Sequence, residues 1–327
     1  MRKLTALTAL LALLCSCQRG SYIEIRGYAQ GGTYTVKIGM DGVKEKPSDI
    51  KEHIDSLLNE IDCTMSGYNV ASMLSRFNRG EQIEPNDMFR EIYSMSRDIY
   101  FTSGGAVDVA SGPLYDAWGF GFSKDSLPDD ATVRTLMRNC GMALLPETAD
   151  SLHADGVKKL NFNAIAQGYS CDVVAGYLYG IGVRNMLVDI GEIFCDGVNP
   201  SGKGWTIAVD TPEDGNEVPG SSTSAMWRSS GDPRGVVTSG NYRKFYLSDG
   251  RKFAHTIDPR TGYPVSHNLL SATIIAPTAA LADAVATWCM VEGPDRARSI
   301  ISGRDDLEGL LIWDDGGLMQ IWKSEGF

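Results

Sequence analysis

Long apolar runs, a basic surplus, closely spaced cysteine pairs and repeats are all missing from this 327-residue chain. Beyond its first residues, nothing approaches the roughly 20 consecutive apolar residues that a bilayer-spanning helix needs, which excludes a polytopic membrane protein. Basic residues are in deficit, 30 Lys and Arg against 41 Asp and Glu. A surface of that sign repels phosphate backbones and argues against nucleic acid as a partner. No CxxC occurs. Apart from Cys15 and Cys17, the cysteines are Cys63, Cys140, Cys171, Cys195 and Cys289. They are odd in number and widely spaced, so neither a disulfide framework nor a zinc site is indicated, and most are expected to be small buried hydrophobes.

What is present begins with a leader. Arg2 and Lys3 precede an apolar run from Leu4 to Leu14, too short to span a bilayer and followed by small and polar residues, which is the pattern of a secretory signal. Leu14-Cys15-Ser16-Cys17 resembles the lipobox of bacterial lipoproteins and makes Cys17 the expected acylated N-terminus, the alternative being a secreted protein with a chance cysteine there. The expectation is an exported protein, lipid-anchored to an envelope membrane and facing the periplasm, with residues 1–16 removed. Loss of two leader cations deepens the formal charge from −11 to −13. Residues 17–327 suffice for one large domain or two intimately packed lobes, and no boundary is visible.

Periodicity predicts a hairpin from Tyr22–Tyr28 and Tyr34–Ile38, and amphipathic helices through Ile50–Ile61 behind Ser48 and Phe89–Tyr100 behind Asn86. Further helices are expected through Val133–Cys140 and, from an entry near Gly168, through Val173–Ile181. Strands are expected at Met186–Ile190, Trp205–Asp210, Arg243–Leu247, Lys252–Ile257 and Ser271–Ala276, with a tight turn at Ser248-Asp249-Gly250. Thr278 opens an alanine-rich helix to Val291, and a hairpin around Asp315-Gly316-Gly317 closes the chain. Residues 215–231, rich in Gly, Ser, Pro and Thr, read as an exposed insertion. Helices and strands intersperse without regular βαβ alternation, which points to an α+β fold.

Four constellations carry chemistry. Asp283 and Thr287 share a face of the alanine-rich helix, one turn apart. Two oxygen donors so placed suit a hard cation, although the same spacing is common on solvated helix faces. His255 ends a strand before Asp258-Pro259-Arg260-Thr261-Gly262, where it could serve as a base or simply satisfy the turn, and Arg260 could bind phosphate or pin the loop. Asn161 to Tyr169 forms a polar entry to a helix, a place where backbone N–H groups meet anions. It matches neither GxGxxG nor a Walker A loop. Gly104 to Asp108, followed by Gly112-Pro113-Leu114 and Trp118 to Gly121, offers close backbone approach and aromatic walls, or else turns and core.

In order along the chain, these stretches resemble the ApbE family of bacterial envelope FAD:protein FMN transferases. Gly32-Thr33-Tyr34 resembles the family's MGTxY, and Met65-Ser66-Gly67-Tyr68 with Ser75-Arg76-Phe77-Asn78 resembles MSTY and SRFN. Gly105-Ala106-Val107-Asp108 and Gly112 to Gly121 resemble GAFD and GPLxxxWGFG. Thr238 to Arg243 and His255 to Gly262 resemble TSGDYR and HIIDPRTG, and Ala282 to Thr287 resembles ADAxAT. The resemblance implies mixed, T-fold-related sheets with packed helices and an FAD cleft between two lobes. It implies Mg²⁺ or a similar ion held by Asp283, Thr287 and the Ala164 carbonyl, with Tyr68 against the isoalloxazine. Gly32, Ala106, Val107, Asp108, Asn161, Gln167 and the backbone of His255, Thr256 and Ile257 would line the FAD site, with His255 and Asp283 catalytic. The acceptor would be a redox protein modified on a Thr or Ser.

Three positions depart from the family pattern: Asn161 replaces an aspartate, Gln167 a lysine, and Ile190-Gly191-Glu192 has one glycine fewer than IGGE. Loss of one charge of each sign reads as a compensated pair. Two other functions share the same features: an FAD pyrophosphatase yielding FMN and AMP, and a lipoprotein that binds FAD without turnover.

Overall fold

The computed structural model describes residues 21–120, 127–213, 220–241, 245–248, 251–254 and 256–327. The leader with Cys17, Gly121, residues 215–219, Tyr242 to Lys244, the Asp249-Gly250 turn and His255 lie outside the described residues. The chain opens with β1 (Tyr22–Ala29) and β2 (Gly32–Gly39), then α1 (Pro47–Met65), α2 (Met73–Asn78), α3 (Asp87–Thr102), α4 (Gly112–Ala117), α5 (Asp130–Met137) and α6 (Ala166–Gly180). Strands follow: β3 (Met186–Asp189), β4 (Ile193–Asp196), β5 (Thr206–Asp210), β6 (Thr223–Arg228), β7 (Arg234–Gly240), β8 (Phe245–Ser248), β9 (Arg251–Ala254), β10 (Ile257–Asp258), β11 (Tyr263–Pro264) and β12 (Leu269–Ala276). The end is α7 (Ala279–Glu292), α8 (Pro294–Ser302), β13 (Glu308–Asp315) and β14 (Leu318–Lys323).

One eight-stranded sheet, in the order β1-β2-β3-β4-β7-β12-β13-β14, organises the molecule. Every neighbouring pair in it is antiparallel, and the expected α+β architecture holds. An interior strand of this sheet, β12, is almost continuously apolar because both its faces are covered. Ala272, Ile274 and Ala276 join the main core with α7, while Ile275 and Val236 pack with Trp205 and Trp227 of the β5–β6 hairpin on the other side. Helix α7 is apolar nearly all round, as a helix sandwiched between a sheet and other helices must be.

The structure corrects several sequence expectations. Ser48 does not cap α1. Lys46 is the N-cap and Pro47 occupies the first turn, where proline's fixed φ suits the helix and its missing N–H costs nothing. Helix α5 stops at Met137, short of Cys140. The 215–231 insertion is not all loop: Thr223–Arg228 is a strand whose Trp227 is buried. Lys252–Ile257 is not one strand but parts of β9 and β10. Cys63 is exposed and Cys140 half-buried, while Cys171, Cys195 and Cys289 are buried as expected. Strand β7, which lies between β4 and β12, escaped periodicity because it is written Arg-Gly-Val-Val-Thr-Ser-Gly. A Cβ on its Gly235 would lie 2.3 Å from Cα of Ala279, so the start of α7 rests directly on the strand backbone.

Candidate active site

The site grows from the contact of α6 with α7. Gly168 permits it: a Cβ there would lie 2.2 Å from the Ala279 carbonyl oxygen. Two carboxylates then clasp the helices in opposite directions. Asp172 of α6 accepts the N–H groups of Ala279 and Ala280 at 2.8 Å each, holding the exposed donors and positive end of α7. Asp283 of α7 accepts the Gly168 N–H at 3.0 Å. Burial pushes the Asp172 carboxyl up to about 6, against the opposing effect of its two N–H donors. Burial also raises Asp283 well above the ordinary carboxylate range, and the Asp172 charge adds to this.

Asp283, only 5% exposed, borders a cleft of about 1620 Å³. The same cleft is lined by Thr287, Ala164, Tyr68, Ala106, Val107, Asp108, Asn161, Gln167 and Thr256. The second Asp283 oxygen, the Thr287 hydroxyl and the Ala164 carbonyl have no hydrogen-bond partner among the described residues. All three are oxygens, which is the donor chemistry a hard cation takes. Among the described residues no cluster of three His, Cys, Asp or Glu side chains is gathered that could hold a metal, so an ion here depends on the alcohol and the carbonyl as well as the carboxylate.

The other wall residues divide by what their polar atoms do. Asp108 is committed to scaffolding, accepting from Ala110 N, Met142 N and Ser111 Oγ at 2.9, 3.1 and 2.7 Å. Burial raises its pKa and these donors lower it. Asn161 turns its side-chain oxygen onto Asn163 N at 2.9 Å, while its own N–H bonds to Val109 O. The Thr256 hydroxyl donates to Asn241 Oδ1 at 2.7 Å, closing the sheet side of the cleft. Tyr68 stands 71% exposed at the mouth on a loop braced by Asn69–Asp62 and Ser72–Ser66 hydrogen bonds.

Two of the expected cleft residues are not brought to it. Gly32 lies at the start of β2, exposed to solvent, because the hairpin turn rotates it away and presents Tyr28 to Gly31 instead. Ile257 is fully buried among Leu114, Trp118 and Val133, since its strand position faces that satellite core. Sequence reasoning missed the hairpin tip, Glu192, Met290 and the Thr238–Gly240 stretch as wall elements. Thr238–Gly240 and Glu192 fall in stretches that resemble family motifs and Met290 left no signal, whereas the tip left a turn signal at Gln30-Gly31. Both residues there have positive φ, 52° and 81°, and the Gln30 side chain is anchored on Ser170 of α6. Arg260 is resolved as a loop pin: it grips Asp258 through Nε and Nη2 and Glu292 through Nη1.

The model of the ApbE family matches residues 23–311. The chain belongs to the ApbE family. A Haemophilus influenzae protein named FAD:protein FMN transferase is 32% identical over 95% of this chain and 92% of its own length. Its Vibrio cholerae counterpart is 31% identical over 99% and 98%. Among solved structures, the flavin transferase ApbE from Vibrio cholerae superposes with a TM-score of 0.81 at 29% identity, covering 94% of this chain and 98% of that one. The flavinyl transferase ApbE of Pseudomonas stutzeri in its apo form gives 0.82 at 29% identity, over 94% and 96%. Against the ApbE pattern, two of the three departures sit together by contact: a Cβ on Gly191, at φ +90°, would lie 2.7 Å from Gln167 Nε2. The shortened glycine turn and the lysine-to-glutamine change therefore share one corner of the cleft.

Proposed function

We propose that this chain is an exported, lipid-anchored transferase that splits the pyrophosphate of FAD and passes FMN to a Thr or Ser hydroxyl of a flavin-carrying redox protein, releasing AMP. The observation that carries this reading is the convergence on one cleft of the Asp283 carboxylate, the Thr287 hydroxyl and the Ala164 carbonyl beside Tyr68 and the Ala106–Asp108 wall. The name shared by its relatives supports the reaction. The leader and Cys17 support export and anchoring.

Asp283, Thr287 and Ala164 would hold Mg²⁺ or a similar hard cation, which when bound would supply positive charge against the pyrophosphate. Tyr68 offers a flat apolar face at the cleft mouth against which an isoalloxazine stacks. Ala106 and Val107 supply close, uncharged wall, and Gln167, in the first turn of α6, presents an amide to phosphate oxygens. His255 would take the proton from the acceptor hydroxyl. The acceptor oxygen bonds to the FMN phosphorus while the bond from that phosphorus to the bridging oxygen breaks, and AMP departs with the electron pair.

The test is to incubate the purified protein with FAD, Mg²⁺ and a partner domain bearing an acceptor Thr. Covalent FMN on the domain supports transfer; free FMN with AMP replaces it with hydrolysis, and intact FAD with storage. Asp283→Ala should abolish either reaction.

A further inference from the structure

Arg260 joins groups on separate segments around the cleft. Its Nε and Nη2 meet the two Asp258 carboxylate oxygens at 2.9 and 3.0 Å, a fork-to-fork pair that fixes the turn following Thr256. Its Nη1 meets Glu292 Oε1 at 2.8 Å, and Glu292 is the last residue of α7, the helix of Asp283 and Thr287. Glu292 is itself held by the Trp288 indole N–H at 3.3 Å. The aliphatic stem of Arg260 runs past Gly105, where an added Cβ would lie 3.7 Å from Arg260 Cγ, and Gly105 leads directly into the Ala106–Asp108 wall. Two residues further along the same turn, the Gly262 carbonyl receives the indole N–H of Trp118, a cleft residue, at 2.8 Å.

We infer that Arg260 is a positioning residue, a keystone that sets the spacing of three cleft walls without touching FAD: α7, the Gly105–Asp108 loop and the turn after Thr256. The inference rests on the reading of the cleft as the FAD site. Its physical basis is charge and geometry: each of the three guanidinium nitrogens donates to a carboxylate, and the two carboxylates together more than offset the positive charge that a phosphate would seek. Lysine cannot replace it, because an ammonium lacks the planar fork needed to hold Asp258 in two places while reaching Glu292.

The experiment is a double-mutant cycle on FAD binding, followed by flavin fluorescence quenching at a temperature well below each variant's Tm. Arg260→Lys and Glu292→Ala should each weaken FAD binding by about tenfold, and the double variant no further, since both remove one shared joint. Glu292→Gln keeps the acceptor oxygen and should stay within about threefold of the parent, a rescue that a phosphate-binding arginine would not show. A ligand role for Arg260 predicts the reverse for Glu292→Ala: freeing the guanidinium of its counter-charge would tighten FAD. That result, additive losses, or unchanged affinity with only a lowered Tm would each overturn the keystone. Binding is read without turnover, so failure of the unsubstituted protein to move FMN would sink the transferase reading while leaving this cycle interpretable.

Discussion

The backbone N–H of Gly168 donates to the Asp283 carboxylate at 3.0 Å. Gly168 lies in the first turn of α6, whose leading N–H groups have no acceptor inside the helix. The contact satisfies that buried donor and one Asp283 oxygen, while the other oxygen and the Ala164 carbonyl, just ahead of the helix, border the same cleft. One contact between helices thus orients the carboxylate proposed to hold the ion.

Gly168 is the sequence requirement of that contact. Gly168→Ala would drive a methyl into the Ala279 carbonyl, at a separation of 2.2 Å if nothing moved. Overpacking of this kind costs about 1–3 kcal/mol. The urea midpoint should fall accordingly, and the response to Mg²⁺ should weaken with it. Wild-type stability in this variant would show that α6 and α7 separate freely.

Asp283→Asn separates structure from chemistry. The amide oxygen can still accept from Gly168, and an uncharged side chain relieves the cost of burying a carboxylate. The variant should fold with a Tm at or above that of the metal-free parent at pH 8, yet lose the stabilisation by Mg²⁺ and all turnover of FAD. Retained turnover would remove Asp283 from the reaction.

Asp172 gives a pH signature. Its carboxyl is raised by burial from 3.8 to about 6, so between those values the folded protein holds more protons than the unfolded chain. Stability from this group is therefore lost as pH rises from about 4 to about 6, and is level beyond. Asp172→Asn carries a constant penalty at the α7 N-terminus but no titration. The stability of the parent relative to this variant should decline across that interval in metal-free buffer. A rising difference would contradict the sign.

Gln167→Lys tests the compensated departures. The Asn161 side-chain oxygen is already taken by Asn163 N, and it carries no charge to hold an added ammonium. The lysine would instead compete with the ion for the Asp283 charge. KM for FAD and the Mg²⁺ requirement should both rise by several-fold, on the scale of one poorly compensated charge. Pairing it with Asn161→Asp should restore them. An unchanged or improved single variant would refute the idea.

Much of the local structure was legible in the chain. The β1–β2 hairpin, the Asn86 cap of α3 and the Thr278 cap of α7 occur where their patterns put them, because alternation and capping act within a few residues. Strand β7 was not legible, since its glycines answer to α7 and not to its own sequence neighbours. The exposure of Gly32 and the burial of the Ile257 side chain were not legible for a related reason: a residue's place in a motif does not reveal which way the folded element turns it.

The sequence alone determined the family, through short ordered motifs whose residue types the chemistry needs, and the local elements, through periodicity and caps. Tertiary structure decided which oxygens of those motifs are spoken for. Asp108, Asn161 and Arg260 are engaged by partners 2 to 34 residues away, while Asp283, Thr287 and Ala164 keep oxygens open to one cleft. Hydrogen-bond occupancy depends on distances across the fold, and no local pattern encodes it.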